Sequence, residues 1–224
     1  MKNVIIVLLL GFFSLSLSAQ QNDTKYEKNK FDCQELLKAV KDGNVQEIKR
    51  LLKTIDPNCV YREDGEPRSP LVSAARTGNL EIGRLLVDAK ADIEFHAMGD
   101  ETPLMAASKN GGLDFVKYLI SNGAKVNKQL LGDGTALLVA ARNGHLKTVS
   151  YLLSEGAEVN AVVPGDGTAL IQSIKNNHYD ISEILLENGA DPYLASPGDE
   201  YPMFYALESS RGHMVALLEK YQKK

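Results

Sequence analysis

Apolar residues recur along this chain at helical spacing, in short stretches separated by turns rich in glycine and aspartate. Leu113, Val116, Leu119 and Ile120 mark one face of a helix. Gly123 closes that helix, as a C-terminal glycine in the left-handed region does. Just upstream, Pro103 to Lys109 predicts a shorter helix that follows Thr102, a preferred N-cap residue, and carries proline at its first position. Its small Ala106-Ala107 pair allows close approach to a neighbouring helix, and Asn110-Gly111-Gly112 turns the chain between the two. The same short-long pair returns with Leu146, Val149, Leu152 and Leu153, and again with Ile181, Ile184, Leu185 and Leu186.

The returns are strictly periodic. Leu71, Leu104, Leu137, Leu170 and Met203 fall 33 residues apart. Ala74, Ala107, Ala140 and Ser173 keep the same register, as do Lys90, Gly123, Gly156 and Gly189. A fixed period of this length predicts a solenoid, in which each unit stacks only on its neighbours. Such a molecule offers one long surface and no enclosed pocket, so binding is the first functional expectation and catalysis comes behind it.

Each unit opens on a common signature: Ser69-Pro70-Leu71, Thr102-Pro103-Leu104, Thr135-Ala136-Leu137, Thr168-Ala169-Leu170 and Tyr201-Pro202-Met203. Gly144-His145 and the closing runs Gly123-Ala124-Lys125-Val126-Asn127 and Gly156-Ala157-Glu158-Val159-Asn160 complete it. In period and motif the chain resembles the ankyrin-repeat family over residues 31–222. The resemblance implies an all-α fold: a solenoid of about six helix pairs joined by short β-turn or hairpin loops. Repeats are expected near 31–60, 66–94, 99–127, 132–160, 165–193 and 198–222. Every copy departs from the family at the histidine of its T-P-L-H motif, where Val72, Met105, Leu138, Ile171 and Phe204 stand. The family's hydrogen bond from that ring to the threonine must be absent, and an apolar contact is expected instead.

The end units are irregular, as terminal caps are. The first lacks the opening signature but carries Leu36, Leu37, Val40, Ile48, Leu51 and Leu52, and its Asp42-Gly43-Asn44 turn precedes Thr77-Gly78-Asn79 by 35 residues. About two residues are therefore gained around Asp64 to Arg68. At the other end Ser209-Ser210 lengthens a turn, and a final helix is expected over Met214 to Tyr221. The only cysteines, Cys33 and Cys59, flank the first helix pair, whose two ends lie on the same side, so a disulfide is geometrically reasonable. It would close a loop of 25 intervening residues, for roughly 3 kcal/mol in the chain-entropy model. The alternative is two unlinked thiols packed as small hydrophobes.

Residues 1–19 read as a secretory signal peptide: Lys2 supplies the charge, Val4 to Leu17 is almost wholly apolar, and Ser16 to Gln20 offers small residues for cleavage. A retained membrane anchor is the alternative, but the apolar run is short for a bilayer. Cleavage predicts a periplasmic or secreted protein with no membrane attachment, led by a polar, flexible segment over residues 20–30. It leaves 24 basic against 29 acidic residues, net −5. A mildly acidic chain without a basic run is a poor ligand for nucleic acid.

Two charged ladders follow the period. Asp100, Asp133, Asp166 and Asp199 occupy the Gly-Asp-Gly-Thr style turns, and Arg76, Lys109, Arg142 and Lys175 occupy the ends of the first helices. Adjacent repeats stand about 10 Å apart, far beyond the ~2.4 Å oxygen distances of calcium, so the acidic ladder is expected to bond turn amides. The resemblance places the basic ladder on the concave, partner-binding face; the plainer reading is that cations are favourable at helix C-termini. His145, His178 and His213 sit where the family ties down a loop, and His96 stands apart; none has a partner at metal-ligand spacing. No nucleophile motif such as G-x-S-x-G occurs.

The sequence therefore predicts a monomeric, exported module that binds another protein, with no cofactor, no metal and no enzymatic activity. Arg76, Met98, Glu101, Lys109, Asn110, Leu131, Arg142, Asn143, Val163, Lys175, Asn176 and Pro197 are the candidate partner-binding residues, with Met98, Leu131, Val163 and Pro197 as apolar, exposed tips. The repeat style looks like bacterial exported ankyrin arrays, including those attached to membrane sensor peptidases. That likeness suits an accessory to a periplasmic enzyme; a secreted effector or immunity-type inhibitor, and an enzyme with an unfamiliar site, are the alternatives.

Overall fold

A computed structural model describes residues 32–63, 66–97, 100–132, 134–196, 198, 200–208 and 211–222. The expected signal peptide and leader, and Met98, Asp133, Pro197, Asp199 and Ser209-Ser210, lie outside them. The described chain forms helix pairs: α1 (32–41) with α2 (Val45–Leu51), α3 (Pro70–Thr77) with α4 (Leu80–Asp88), and α5 (Pro103–Asn110) with α6 (Leu113–Ser121). Then follow α7 (Ala136–Arg142) with α8 (Leu146–Ser154), α9 (Ala169–Lys175) with α10 (Tyr179–Glu187), and α11 (Pro202–Glu208) with α12 (Gly212–Gln222). The result is the expected solenoid of six pairs, twelve helices among the described residues.

The first helices, from α3 to α11, form one stack and the second helices another, with the first packed more intimately. Small side chains permit it: Ala74, Ala107, Ala140, Ser173 and Ala206 are wholly buried. The row Leu71, Leu104, Leu137, Leu170 is buried beside them, and Leu86, Leu119, Leu152 and Leu185 bury the inner face of the second helices. One apolar core thus runs the length of the molecule. Each first helix is started by its threonine: Thr102, Thr135 and Thr168 accept N–H bonds from Met105, Leu138 and Ile171 at 3.1–3.2 Å. Ser69 holds the same position without that bond.

Where the family's histidine is replaced, Met105 and Leu138 join Val139, Val163 and the half-buried Leu130 in a second apolar cluster beneath the tips. An apolar contact does stand there. The second helices end on residues in the left-handed region, at Gly123 (φ 95°), Gly156 (φ 83°) and Gly189 (φ 88°), but Lys90 adopts φ 75° in the same row. A side chain there is strained by about 1–2 kcal/mol.

The tips are short hairpins. Tyr61–Glu63 (β1) pairs antiparallel with Glu66–Arg68 (β2), Tyr61 facing Arg68. The two residues gained in this unit fall here and lengthen the hairpin. In the next tips the pairing shrinks to single bridges, Leu130 to Gly134 and Val163 to Gly167. At the N-terminal end a disulfide joins the buried Cys33 to Cys59, with 5.7 Å between their Cα atoms. No helix among the described residues is long and apolar enough to cross a membrane.

Candidate partner-binding surface

The two charged ladders are one structure. Arg76, at the end of α3, sends Nη2 to Asp100 Oδ1 at 2.8 Å and Nε to Glu101 Oε1 at 2.6 Å. Arg142, at the end of α7, meets Asp166 Oδ1 at 2.5 Å. Each arginine precedes its aspartate by 24 residues, so the end of one first helix is tied to the next tip. Lys109 and Lys175 bear the same offset to Asp133 and Asp199, which lie outside the described residues. Gln172 completes the α7 clasp, accepting from Arg142 Nε at 3.1 Å and donating to the Asp166 carbonyl at 2.6 Å.

The expected bond from the acidic ladder to a turn amide is present at Asp100, beside an ion pair. Asp100 Oδ1 does accept from the Glu101 amide at 3.1 Å, but the guanidinium is the nearer, charged partner. The physical reason is burial: Asp100 and Glu101 are both buried, and a buried carboxylate needs a counter-ion. Burial pushes the Asp100 carboxyl above its ordinary range, with Arg76 pulling the other way. Its Oδ2 has no hydrogen-bond partner among the described residues. Glu101, a candidate contact residue, is therefore enclosed within the fold, with Lys109 Nζ 3.8 Å from its second oxygen.

The remaining candidates divide. Lys109 is 57% exposed at its side chain and Lys175 is exposed, with its ammonium 4.6 Å from the Tyr205 ring centre. Asn110, Asn143 and Asn176 are exposed, yet each spends its amide on the backbone: Asn110 on the Arg76 carbonyl, Asn143 on Val139 and Asn176 on Gln172. Leu131 is 85% exposed at its tip. Val163 is not: it is wholly buried in the cluster beneath the tips. Residue 163 is one short of the register that carries Leu131, and Pro164, which keeps it, is exposed. In an extended segment adjacent side chains point oppositely, so one residue exchanges outside for inside. Met98 and Pro197 lie outside the described residues.

A further ladder, carried by histidines, is structural. His145 Nε2 donates to the Lys109 carbonyl at 2.9 Å and His178 Nε2 to the Arg142 carbonyl at 3.1 Å. In the next repeat Arg211 reaches the Lys175 carbonyl at 3.0 Å. In α6 the equivalent position is Gly112, which has no side chain, and Asn110 takes over by bonding Arg76. Since carbonyls only accept, His145 and His178 hold their proton on Nε2. Each ring thus ties its repeat to the one before. Among the described residues no three His, Cys, Asp or Glu side chains are grouped to hold a metal.

Sequence reasoning treated the ladders separately and missed Gln172; the constant offset of 24 was the available signal for the pairing. The sequence matches the family profile described as ankyrin repeats (3 copies) over residues 36–130 and 127–196. The structure is similar to the crystal structure of the human ASB11 ankyrin repeat domain, with a TM-score of 0.73 and 24% identity over 83% of this chain and 82% of that one. A search of curated proteins found no match. With more than half its length inside the profile, the chain belongs to the ankyrin-repeat family, whose repeats generally mediate protein–protein interaction and are typically non-enzymatic.

Proposed function

We propose that this chain is an exported interaction module that binds a periplasmic or extracellular protein through the face where the tips meet the first helices. Leu131 carries the reading. Its neighbours in the tips turn inward to the cluster under Met105 and Leu138, while Leu131 holds an apolar side chain almost wholly in water. The exposed Lys109 and Lys175 stand in the last turns of α5 and α9. An apolar anchor beside charges gives burial for affinity and orientation for specificity. Export rests on the charged start, apolar run and small residues of positions 1–19.

The test is capture from envelope and culture-supernatant fractions with the mature chain, followed by mass spectrometry. A Lys109→Gln, Leu131→Ser double variant, which adds no carboxylate beside Glu101, should lose the captured partner, and Lys147→Glu, on α8, should keep it. Arg142 is left intact because its reversal would break the clasp to Asp166. If the Lys109 and Leu131 changes leave capture unaltered while an α8 variant abolishes it, the surface is assigned to the wrong side. An envelope enzyme as partner favours an accessory role; a foreign protein found only with supernatant favours the effector or inhibitor reading. N-terminal sequencing of the exported chain should begin after Ser18 or Ala19; a product starting at Met1 refutes cleavage.

A further inference from the structure

The last repeat departs from the others in what it leaves uncovered. Val72, Met105, Leu138 and Ile171 are buried in their row, but Phe204, next in register, is 39% exposed. Ala75, Ser108, Ala141 and Ile174 are wholly buried in theirs, but Leu207 is 59% exposed. In the inner units each first helix packs against the first helix of the next repeat, and the described residues end with α12. Tyr201, Phe204, Leu207 and Glu208 are spaced three, six and seven residues along α11 and its entry, so they share one face. That face presents Phe204, Leu207 and the exposed Tyr201.

The charges around that face decide what fits it. Along α11 and its entry, residues 198–208, the charged side chains in the sequence are Asp199, Glu200 and Glu208, and the basic residues Lys175, Arg211, Lys220, Lys223 and Lys224 lie outside that stretch. Lys175 stands over the Tyr205 ring, Arg211 bonds the Lys175 carbonyl, and Lys220 pairs with Glu183 at 3.5 Å. Glu200, Glu208 and Glu219 are exposed. Two copies meeting end to end would oppose these carboxylates, and like charges across an interface are costly. Head-to-tail stacking would bring Lys38 and Lys41 of α1 towards the carboxylates, but among the described residues α1 offers no exposed apolar side chain to meet Phe204 and Leu207.

We propose that the α11 end of the solenoid is a second docking surface, for a basic polypeptide segment that seats an apolar side chain between Phe204 and Leu207 and flanks it with lysine or arginine. Glu208 and Glu200 supply the opposite charge, and the Tyr201 and Phe204 rings can receive a cation on their faces. The apolar centre gives affinity and the acidic rim selects sign, the division usual in protein interfaces. This surface is separate from the tip surface around Leu131 and can be occupied at the same time.

The test uses the mature chain and two labelled synthetic peptides of equal length, one alternating lysine with leucine and the other alternating glutamate with leucine, followed by fluorescence anisotropy. The lysine peptide should bind and the glutamate peptide should not. Leu207→Ser with Glu208→Lys, both exposed positions, should weaken binding by about tenfold or more while leaving the circular-dichroism melt unchanged. Lys109→Gln with Leu131→Ser should leave it intact, which separates this surface from the tip surface. Equal binding of the lysine peptide to the α11 variant, or no binding to the parent chain, overturns the proposal. So does sedimentation showing a dimer that Leu207→Ser dissociates, since a second copy would then be the occupant.

Discussion

Replacing Gly83 with alanine would put a Cβ 2.2 Å from Phe115 Cζ, 2.7 Å from Cε2 and 3.1 Å from Cε1. Gly83 lies in the middle of α4, and Phe115, in α6, is the largest of the wholly buried side chains. Alanine favours a helix interior over glycine by about 1 kcal/mol, so in isolation the change would stabilise α4. Overpacking a rigid core costs about 1–3 kcal/mol, because ring or backbone must move by more than an ångström. The clash wins: Gly83→Ala should destabilise by up to about 2 kcal/mol. Phe115→Leu removes the Cε and Cζ atoms that collide, and in that background Gly83→Ala should become neutral or stabilising. The assay is a double-mutant cycle in urea, followed by far-ultraviolet circular dichroism because the chain has no tryptophan. A coupling of roughly 1–3 kcal/mol between the two sites is expected, well above the ~0.5 kcal/mol scatter of independent positions. Additive single and double mutants would mean that α4 and α6 do not approach at Gly83.

Lys90→Gly should raise the urea midpoint, since it relieves a left-handed side chain, whereas Gly156→Val should lower stability by about 1–2 kcal/mol and Lys147→Ala should leave it unchanged; equal effects of the last two would contradict the helix-end geometry. Asp100 has a folded pKa raised by burial, so its contribution is fully present below the unfolded value near 3.9 and is lost as pH rises through the folded value. The parent chain should therefore lose stability relative to Asp100→Asn as pH rises above about 4; a relative gain would show that the Arg76 pair outweighs burial. Reduction of Cys33–Cys59 should speed hydrogen exchange in α1 and α2 by an amount equivalent to about 3 kcal/mol, with little change in α7 or α9; uniform loss of protection would mean that the bridge supports the whole array.

Rows at the repeat period were legible because each position meets the same environment in every inner unit, so Leu71, Leu104, Leu137 and Leu170 all read, and are, buried. Features that join one repeat to the next were harder, since they sit at other offsets. Arg76 with Asp100 and Arg142 with Asp166 repeat at 24, and appear as two unrelated ladders when only equal positions are compared. Gly83 with Phe115 lies at 32 and occurs once: glycine stands where Val116 and Val149 stand in the following units, and the ring fills the space. Val163 failed for a different reason, because near a β-bridge a shift of one residue reverses the side-chain direction. The row also changes at α11, where Phe204 and Leu207 keep the chemistry of buried positions but are exposed. An apolar residue in a buried row and a covered apolar residue are different statements, and between them lies the neighbour. At the α11 end, where the exposed Glu200 and Glu208 flank Tyr201, Phe204 and Leu207 in the chain, the neighbour we propose brings positive charge.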